Sequence, residues 1–172
     1  TVALSWIIEA PFEEELQGIR VLIALDENFE EVIHDSRMQA DLDSLCYQPE
    51  IKLQPRTRYF WKVIAKNVSG DESSSEIHYF ETAKEEELWT GKWIEPARQL
   101  QRMPLARKPF RLPAKPIRKA RVYATGLGIY ELYLNGEKIG DEYLAPGFHS
   151  YDFWQQYQTY DVTEALQAGG NA

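Results

Sequence analysis

The carboxylates are the side chains to consider first for hydrolytic chemistry, because the chain has many of them. The 172 residues include 27 Asp and Glu, and the densest runs, residues 13–15 and 85–87, are each three consecutive glutamates. General acid–base catalysis needs carboxyls tuned by burial, whereas adjacent like charges repel one another and favour full solvation. We interpret both runs as solvated loop or linker charge, and the sequence predicts no catalytic residue.

The histidines and the cysteine give no metal or cofactor site. His34, His78 and His149 lack the short paired spacing of zinc ligands, and Cys46 is the only cysteine. Residues 126–128 read Gly-Leu-Gly but lack the third glycine and the following helix of a dinucleotide-binding loop. The sequence therefore predicts no cofactor, no metal, no disulfide within the chain and three ordinary surface or core histidines.

A basic segment is the feature that most favours a nucleic-acid contact. Residues 97–121 contain nine Arg or Lys and no Asp or Glu, in a chain of net charge −8. Prolines at four positions interrupt the segment, and the cations show no regular helical spacing or aromatic interleaving. We predict a solvated or interdomain surface and no nucleic-acid partner. No apolar run approaches ~18 residues, so no membrane partner is expected.

An aromatic run near the end of the chain could contact sugars. It comprises Tyr143, Phe148, Tyr151, Phe153, Trp154, Tyr157 and Tyr160. Aromatic faces suit the apolar side of a pyranose, but packing in a core is the competing explanation. A small sandwich cannot bury all seven rings, and our hypothesis is that Trp154 or Tyr151 is exposed and contacts carbohydrate.

Composition and charge predict two small β modules that would position these residues. The chain is 44% hydrophobic and 13% aromatic, with nine Pro and ten Gly, which favours short strands and tight turns. Residues 1–96 hold 20 acidic and 9 basic residues, whereas residues 97–172 hold 7 and 10. We place a first module at 1–83, a linker at 84–92 and a second module at 93–172.

The first module shows the period-two pattern of half-buried strands. Two segments carry alternating apolar residues: Leu4, Trp6, Ile8, and Ile19, Val21, Ile23, Leu25. Residues 58–65 and 77–82 are two further predicted strands, and residues 67–71 form the turn between them.

Tyr59 follows a proline-containing corner at the start of a predicted strand. Its hydroxyl can bond back to the backbone of that corner, in the arrangement called a tyrosine corner. With Trp6 on an early strand, residues 1–83 resemble a fibronectin type III domain. This resemblance implies an immunoglobulin-like sandwich.

The second module contains a strong hairpin signal. Asn135-Gly136 lies between alternating apolar residues, and a type I′ turn needs positive φ at both central positions. Residues 120–140 are therefore interpreted as strand, turn, strand, hairpin and strand. Residues 161–164, Asp-Val-Thr-Glu, have the form of a capping box and predict a short helix ending near Gly169.

The second module resembles the N-terminal β-domain of bacterial α-L-rhamnosidases, glycoside hydrolase family 78. The residues that carry the resemblance are 120–140, 144–148 and 157–163, together with Trp93-Ile94-Glu95 and Phe110-Arg111. Phe148 stands where the family often has Trp. A fibronectin-like domain often precedes this domain in the family, as it does here.

The resemblance implies an all-β chain in which a fibronectin III-like sandwich precedes an incomplete jelly-roll-like β-domain. The family's catalytic helical barrel is missing, so we expect this chain to be inactive alone and to serve as scaffold for that domain. A carbohydrate-binding module and a protein-interaction module are the alternatives. By resemblance, the parent protein would be bacterial and would hydrolyse terminal α-L-rhamnose with inversion.

The resemblance also bears on partners and location. We expect the catalytic domain as a partner, rhamnose-containing glycans as potential ligands, and self-association through a sheet edge left unpaired at the end of the chain. A periplasmic, extracellular or cytoplasmic location stays open.

Overall fold

The computed structural model describes residues 2–9, 15–97 and 103–172. Within these ranges the regular structure consists of β-strands without helices, which confirms the all-β prediction. The chain divides into two compact units, Thr1–Gly91 and Lys92–Ala172. No helix in the described part of the chain is long and apolar enough to cross a membrane.

The first unit is built on one antiparallel five-stranded sheet. Its strands are β1 (Leu16–Ala24), β2 (Val32–Asp35), β3 (Arg58–Asn67), β4 (Glu72–Ser74) and β5 (His78–Glu81). The order across the sheet is β2-β1-β3-β4, and β5 pairs with the first half of β3. The strands predicted at 58–65 and 77–82 are thus present, and β4 is an additional short strand between them.

The buried core of the first unit lies on the predicted face of β1. Ile19, Val21 and Ile23 are buried there, and they pack with Tyr59 and Val63 of β3. The period-two pattern placed these three side chains correctly, because alternate residues of a strand share one face.

The segment around Trp6 is extended, but it is not the predicted strand. Leu4 forms an isolated bridge with Tyr47, and the Trp6 N–H donates to Ser44 O at 3.0 Å. Leu4 is buried, Trp6 packs against the core and Ile7 is exposed. The alternation therefore holds, but the partner is an irregular loop that offers no continuous ladder.

Tyr59 closes the corner before β3. Its hydroxyl accepts a 2.7 Å hydrogen bond from the Gln54 N–H, and its ring, 1% exposed, stacks on Phe80. The Thr82 hydroxyl donates to Gln54 O at 2.6 Å, so both backbone groups of Gln54 are bonded. Tyr59 thus ties the corner to the sheet.

The acidic stretch after β5, predicted as linker, is attached to the first unit. Glu87 pairs with Arg56 at 2.6 Å and lies 3.8 Å from the Lys84 ammonium. The first compact unit accordingly extends to Gly91. The role of residues 84–92 as a linker stays a prediction.

The second unit contains three two-stranded antiparallel ladders. The strands are β6 (Phe110–Leu112), β7 (Arg121–Ala124), β8 (Leu132–Leu134), β9 (Glu137–Ile139), β10 (Gln158–Asp161) and β11 (Gly169–Asn171). β10 pairs with β7, β11 with β6, and β8 with β9. Leu134, Tyr160 and Val162 are its buried hydrophobic cluster.

The predicted helix after β10 is wrong. Asp161 Oδ1 accepts the Thr163 N–H at 3.0 Å and the Thr163 hydroxyl at 2.7 Å. The Thr163 hydroxyl oxygen in turn accepts the Ala120 N–H at 3.0 Å. The Ala120 bond is tertiary and ties this turn beside β7, and residues 161–172 form no helix.

Candidate functional site

The glutamate runs do not form a catalytic pair. Residues 13 and 14 lie outside the described residues, and Glu15 is exposed. In the second run Glu85 and Glu86 are exposed, and Glu87 is paired with Arg56.

Glu15 lines a groove of about 330 Å³ on the first unit together with three other carboxylates, namely Glu9, Asp71 and Glu72. All four are exposed, Glu72 lies 3.2 Å from the Lys66 ammonium, and Asp71 bonds to Asn67. Open solvent screens such charges and gives them none of the burial that tunes a general acid or base. This groove is therefore a poor site for hydrolytic chemistry.

The three histidines occupy three different environments. His34 Nε2 lies 2.7 Å from the Tyr47 hydroxyl, and burial lowers the pKa of this imidazole. His78 on β5 packs against Trp61, and His149 is 4% exposed in the second unit. Across the described residues no group of three His, Cys, Asp or Glu side chains could hold a metal ion.

His149 is the centre of an aromatic cluster that contains both predicted sugar-contacting residues. The Trp154 ring stacks on His149 with centroids 4.9 Å apart, and the Tyr151 ring meets it edge-on at 4.7 Å. Trp154 is 56% exposed and Tyr151 41% exposed. The structure thus brings the two candidates together and leaves ring surface of both in contact with solvent.

One ring nitrogen of His149 has a hydrogen-bond partner. Its Nε2 accepts the Gln156 N–H at 3.4 Å, so in the neutral ring the proton lies on Nδ1. Nδ1 is buried without a protein partner. The sequence analysis predicted His149 as an ordinary histidine. Its spacing of two and five residues from Tyr151 and Trp154 is the signal that could have predicted contact among the three.

Neighbouring loops hold the cluster in place. The Tyr151 hydroxyl accepts the Gly128 N–H at 3.0 Å, and Gln155 Nε2 donates to Thr125 Oγ1 and Gly126 O, both at 2.9 Å. A fixed pair of exposed rings costs little ordering entropy when a flat apolar ligand face stacks on it. Such an arrangement can bind a flat apolar face by stacking.

Asn135 and Gly136 form the turn between β8 and β9 in the second unit. Their φ angles are 53° and 91°, the positive values of a type I′ turn. Asn135 Nδ2 also donates to Asn171 Oδ1 and to Ala165 O, both at 2.9 Å. The sequence predicted the turn, but it did not predict these two side-chain hydrogen bonds of Asn135, which we call the Asn135 clamp.

Both units match known protein families. Residues 1–86 match the family described as "Rha78A-like, N-terminal immunoglobulin domain". Residues 115–172 match the family described as "Alpha-L-rhamnosidase N-terminal domain". This chain belongs to the family of α-L-rhamnosidase N-terminal regions. The first match is immunoglobulin-like, and the finer fibronectin III and jelly-roll assignments stay predictions.

Similar proteins agree with this membership. An α-L-rhamnosidase of Formosa agariphila is 32% identical over 98% of this chain and 21% of its own length. One of Streptomyces avermitilis is 53% identical over 38% of this chain and 6% of its own length. The solved α-L-rhamnosidase of Dictyoglumus thermophilum is 30% identical, with a TM-score of 0.76 over 92% of this chain and 20% of that one.

The fold is also shared with a more distant structure. The α-L-rhamnosidase of Aspergillus terreus has a TM-score of 0.69 at 24% identity, over 92% of this chain and 19% of that one. The chain thus spans about a fifth of the length of the relatives that match most of it.

Proposed function

We propose that this chain is the non-catalytic N-terminal region of an enzyme that hydrolyses terminal α-L-rhamnose. The observation that carries the proposal is the match of both units to N-terminal rhamnosidase families, in a chain about a fifth as long as its rhamnosidase relatives. The exposure of the four carboxylates in the groove of the first unit supports it, because glycosidases use two carboxyls flanking the scissile bond.

Hydrolysis of an aryl α-L-rhamnoside tests this proposal. We expect turnover by a full-length protein that contains this chain and no turnover above background by residues 1–172. The anomer released first, followed by NMR, would report inversion or retention. Turnover by residues 1–172 that survives repurification would contradict the non-catalytic role, and an inactive full-length protein would contradict the activity.

A carbohydrate contact at the His149 cluster is a second candidate function. It is favoured by the paired, partly exposed rings of Tyr151 and Trp154, which the buried His149 fixes. Titration with L-rhamnose and oligosaccharides should shift the Trp154 indole NMR signal, and Trp154→Ala should abolish the binding. Phe153→Ala is the matched control, because Phe153 is 86% exposed and lies beside Trp154 in sequence. Unchanged spectra at millimolar sugar would contradict this role.

Contact with a catalytic domain and self-association are further parts of the proposal. Light scattering of residues 1–172 over a concentration series measures self-association directly. A strictly monomeric chain at the highest concentration would contradict it.

A further inference from the structure

We propose that Asn135 is a deamidation site whose reaction is held back by the Asn135 clamp and whose product weakens the second unit. Asn135-Gly136 is the one Asn-Gly pair of the sequence, because the asparagines at positions 28, 67 and 171 precede residues that carry a Cβ. Glycine lacks a Cβ, so its main-chain nitrogen approaches the preceding side-chain amide without steric hindrance. The sequence alone therefore makes Asn135 the asparagine most open to this reaction.

The reaction needs only water as a second reactant. The Gly136 nitrogen attacks Cγ of Asn135 and forms a C–N bond, while the Cγ–Nδ2 bond breaks. Nδ2 leaves as ammonia and takes the proton from the Gly136 nitrogen. The succinimide ring that results then takes up one water molecule and opens to aspartate or isoaspartate. The overall change replaces an amide by a carboxyl group, which is ionised at neutral pH.

Burial does not protect this pair of residues. Asn135 and Gly136 are both exposed in the turn between β8 and β9, so water can reach them. Protection in the folded chain therefore depends on the way in which the Asn135 amide is held.

The Asn135 clamp holds the leaving group of the reaction. Nδ2 donates one N–H to Ala165 O and the other to Asn171 Oδ1, both at 2.9 Å. Attack at Cγ makes this planar carbon tetrahedral and turns Nδ2 out of the amide plane, which misaligns both hydrogen bonds. The reaction therefore proceeds after the clamp opens, and its rate follows the population of the open state.

Asn171 is fixed as the acceptor that faces Nδ2 of Asn135. The residue is 4% exposed, its own Nδ2 donates to Gln167 O at 2.8 Å, and its Oδ1 also accepts the Gln167 N–H at 2.9 Å. The Asn171 amide cannot turn over without losing both of these bonds. Residue 135 therefore meets an oxygen of Asn171, whichever side chain it carries.

Deamidation replaces a donor by an acceptor at this place. An aspartate at position 135 has two carboxylate oxygens and no side-chain N–H, and it would face Ala165 O and Asn171 Oδ1, which are both acceptors. Acceptors that lose their donor destabilise a fold. Because the ammonia is lost, each opening that ends in deamidation leaves a permanently weakened second unit.

Peptide mapping by mass spectrometry tests whether the fold holds the reaction back. Residues 1–172 are incubated at mildly alkaline pH, either native or unfolded in guanidinium chloride, and the modified fraction of the peptide that contains Asn135 is followed. We expect deamidation to be roughly tenfold or more slower in the native chain. Equal rates in the two conditions would overturn the proposal.

A matched pair of variants separates the clamp from the overall stability of the second unit. Asn171→Ala removes one acceptor of the clamp, whereas Val162→Ala removes buried apolar volume but no hydrogen bond of the clamp. Both are compared with wild type at temperatures equally far below their own melting temperatures. Asn171→Ala should speed native deamidation of Asn135 by roughly tenfold, and Val162→Ala should speed it much less. Equal rates in the two variants would overturn the proposal.

The effect of the product is measured separately. Asn135→Asp carries the side chain of one product, and we expect it to lower the melting temperature of the second unit. Asn28→Asp is the matched control, because it makes the same change at an exposed residue of the first unit and should leave that temperature unchanged. A second unit that melts at the same temperature in Asn135→Asp and in wild type would overturn the proposal.

Discussion

At the residue scale, Tyr59 forms the hydrogen bond that the sequence of the corner before β3 predicted. Its hydroxyl accepts the Gln54 N–H in a part-buried hydrogen bond, and its own ring is 1% exposed. An unpaired buried donor costs about 1–3 kcal/mol. The buried ring and the bond together make Tyr59 a fixed point of the first unit.

We therefore predict that Tyr59→Phe lowers the unfolding free energy of the first unit by about 1–3 kcal/mol. Denaturant titration measures it. Tyr79→Phe is the matched control, because Tyr79 is 60% exposed on the neighbouring strand β5 and should leave the midpoint unchanged. Equal midpoints for the two variants would show that the Gln54 bond contributes nothing.

Asp35 makes the first unit sensitive to acid. Arg20 binds both of its carboxylate oxygens at 2.7 Å, and this hydrogen bonding holds the Asp35 pKa well below its ordinary value of 3.8. A lowered pKa in the folded state stabilises the fold above the ordinary pKa, and that contribution is lost as the pH falls below it.

The stability of the first unit should therefore decline below about pH 4, and Asp35→Asn should flatten the decline. Thermal unfolding from pH 2 to pH 7 measures this slope. Glu76→Gln serves as the control, since Glu76 is exposed. A slope that is the same in wild type and Asp35→Asn would contradict the assignment to this ion pair.

At the element scale, Asn135 combines two roles in the β8–β9 hairpin. Its backbone adopts the positive φ of the turn, and its side chain bonds Asn171 and the Ala165 carbonyl. Ala172 N–H donates to Asn135 Oδ1 at 3.0 Å, so the same side chain also holds the end of β11.

Two substitutions separate these roles. Asn135→Gly keeps the turn conformation and loses the clamp, so we expect a loss of about 1–3 kcal/mol from the second unit. Asn135→Ala loses the clamp and also strains the turn, and should cost more. Denaturant titration of both variants measures the difference. If Asn135→Gly were as stable as wild type, the Asn135 clamp would contribute nothing to the unfolding free energy of the second unit.

At the scale of the whole molecule, each unit has its own buried cluster. Ile19, Val21, Ile23, Tyr59 and Val63 belong to one, whereas Leu134, Tyr160 and Val162 form the other. Separate cores permit separate unfolding transitions.

We predict that Tyr59→Phe shifts only the transition of the first unit and Asn135→Gly only that of the second. Hydrogen exchange followed by mass spectrometry, resolved by peptide, measures both transitions in one experiment. A single transition that both variants shift equally would show that the units unfold together.

The sequence by itself determined the strand periodicity, the turn and the family. The buried face of β1 and the positive φ angles of Asn135 and Gly136 follow from local rules, because alternation and turn geometry depend on neighbouring residues. Residues 120–140 carry the resemblance to the rhamnosidase family, and the second unit matches that family over residues 115–172.

The tertiary structure alone decided which side chains meet. Asp161 and Thr163 have the sequence pattern of a helix cap. The N–H of Ala120, which is distant in sequence, donates to the Thr163 hydroxyl, and the segment forms a turn. Folding places the rings of Tyr151 and Trp154 against His149, a contact that the spacing of these residues allows but does not require. Trp6 packs against the core as its position in the alternating pattern predicts, but its backbone pairs with a loop rather than with a strand. Contacts between distant residues depend on how elements pack, and local spacing does not encode that packing.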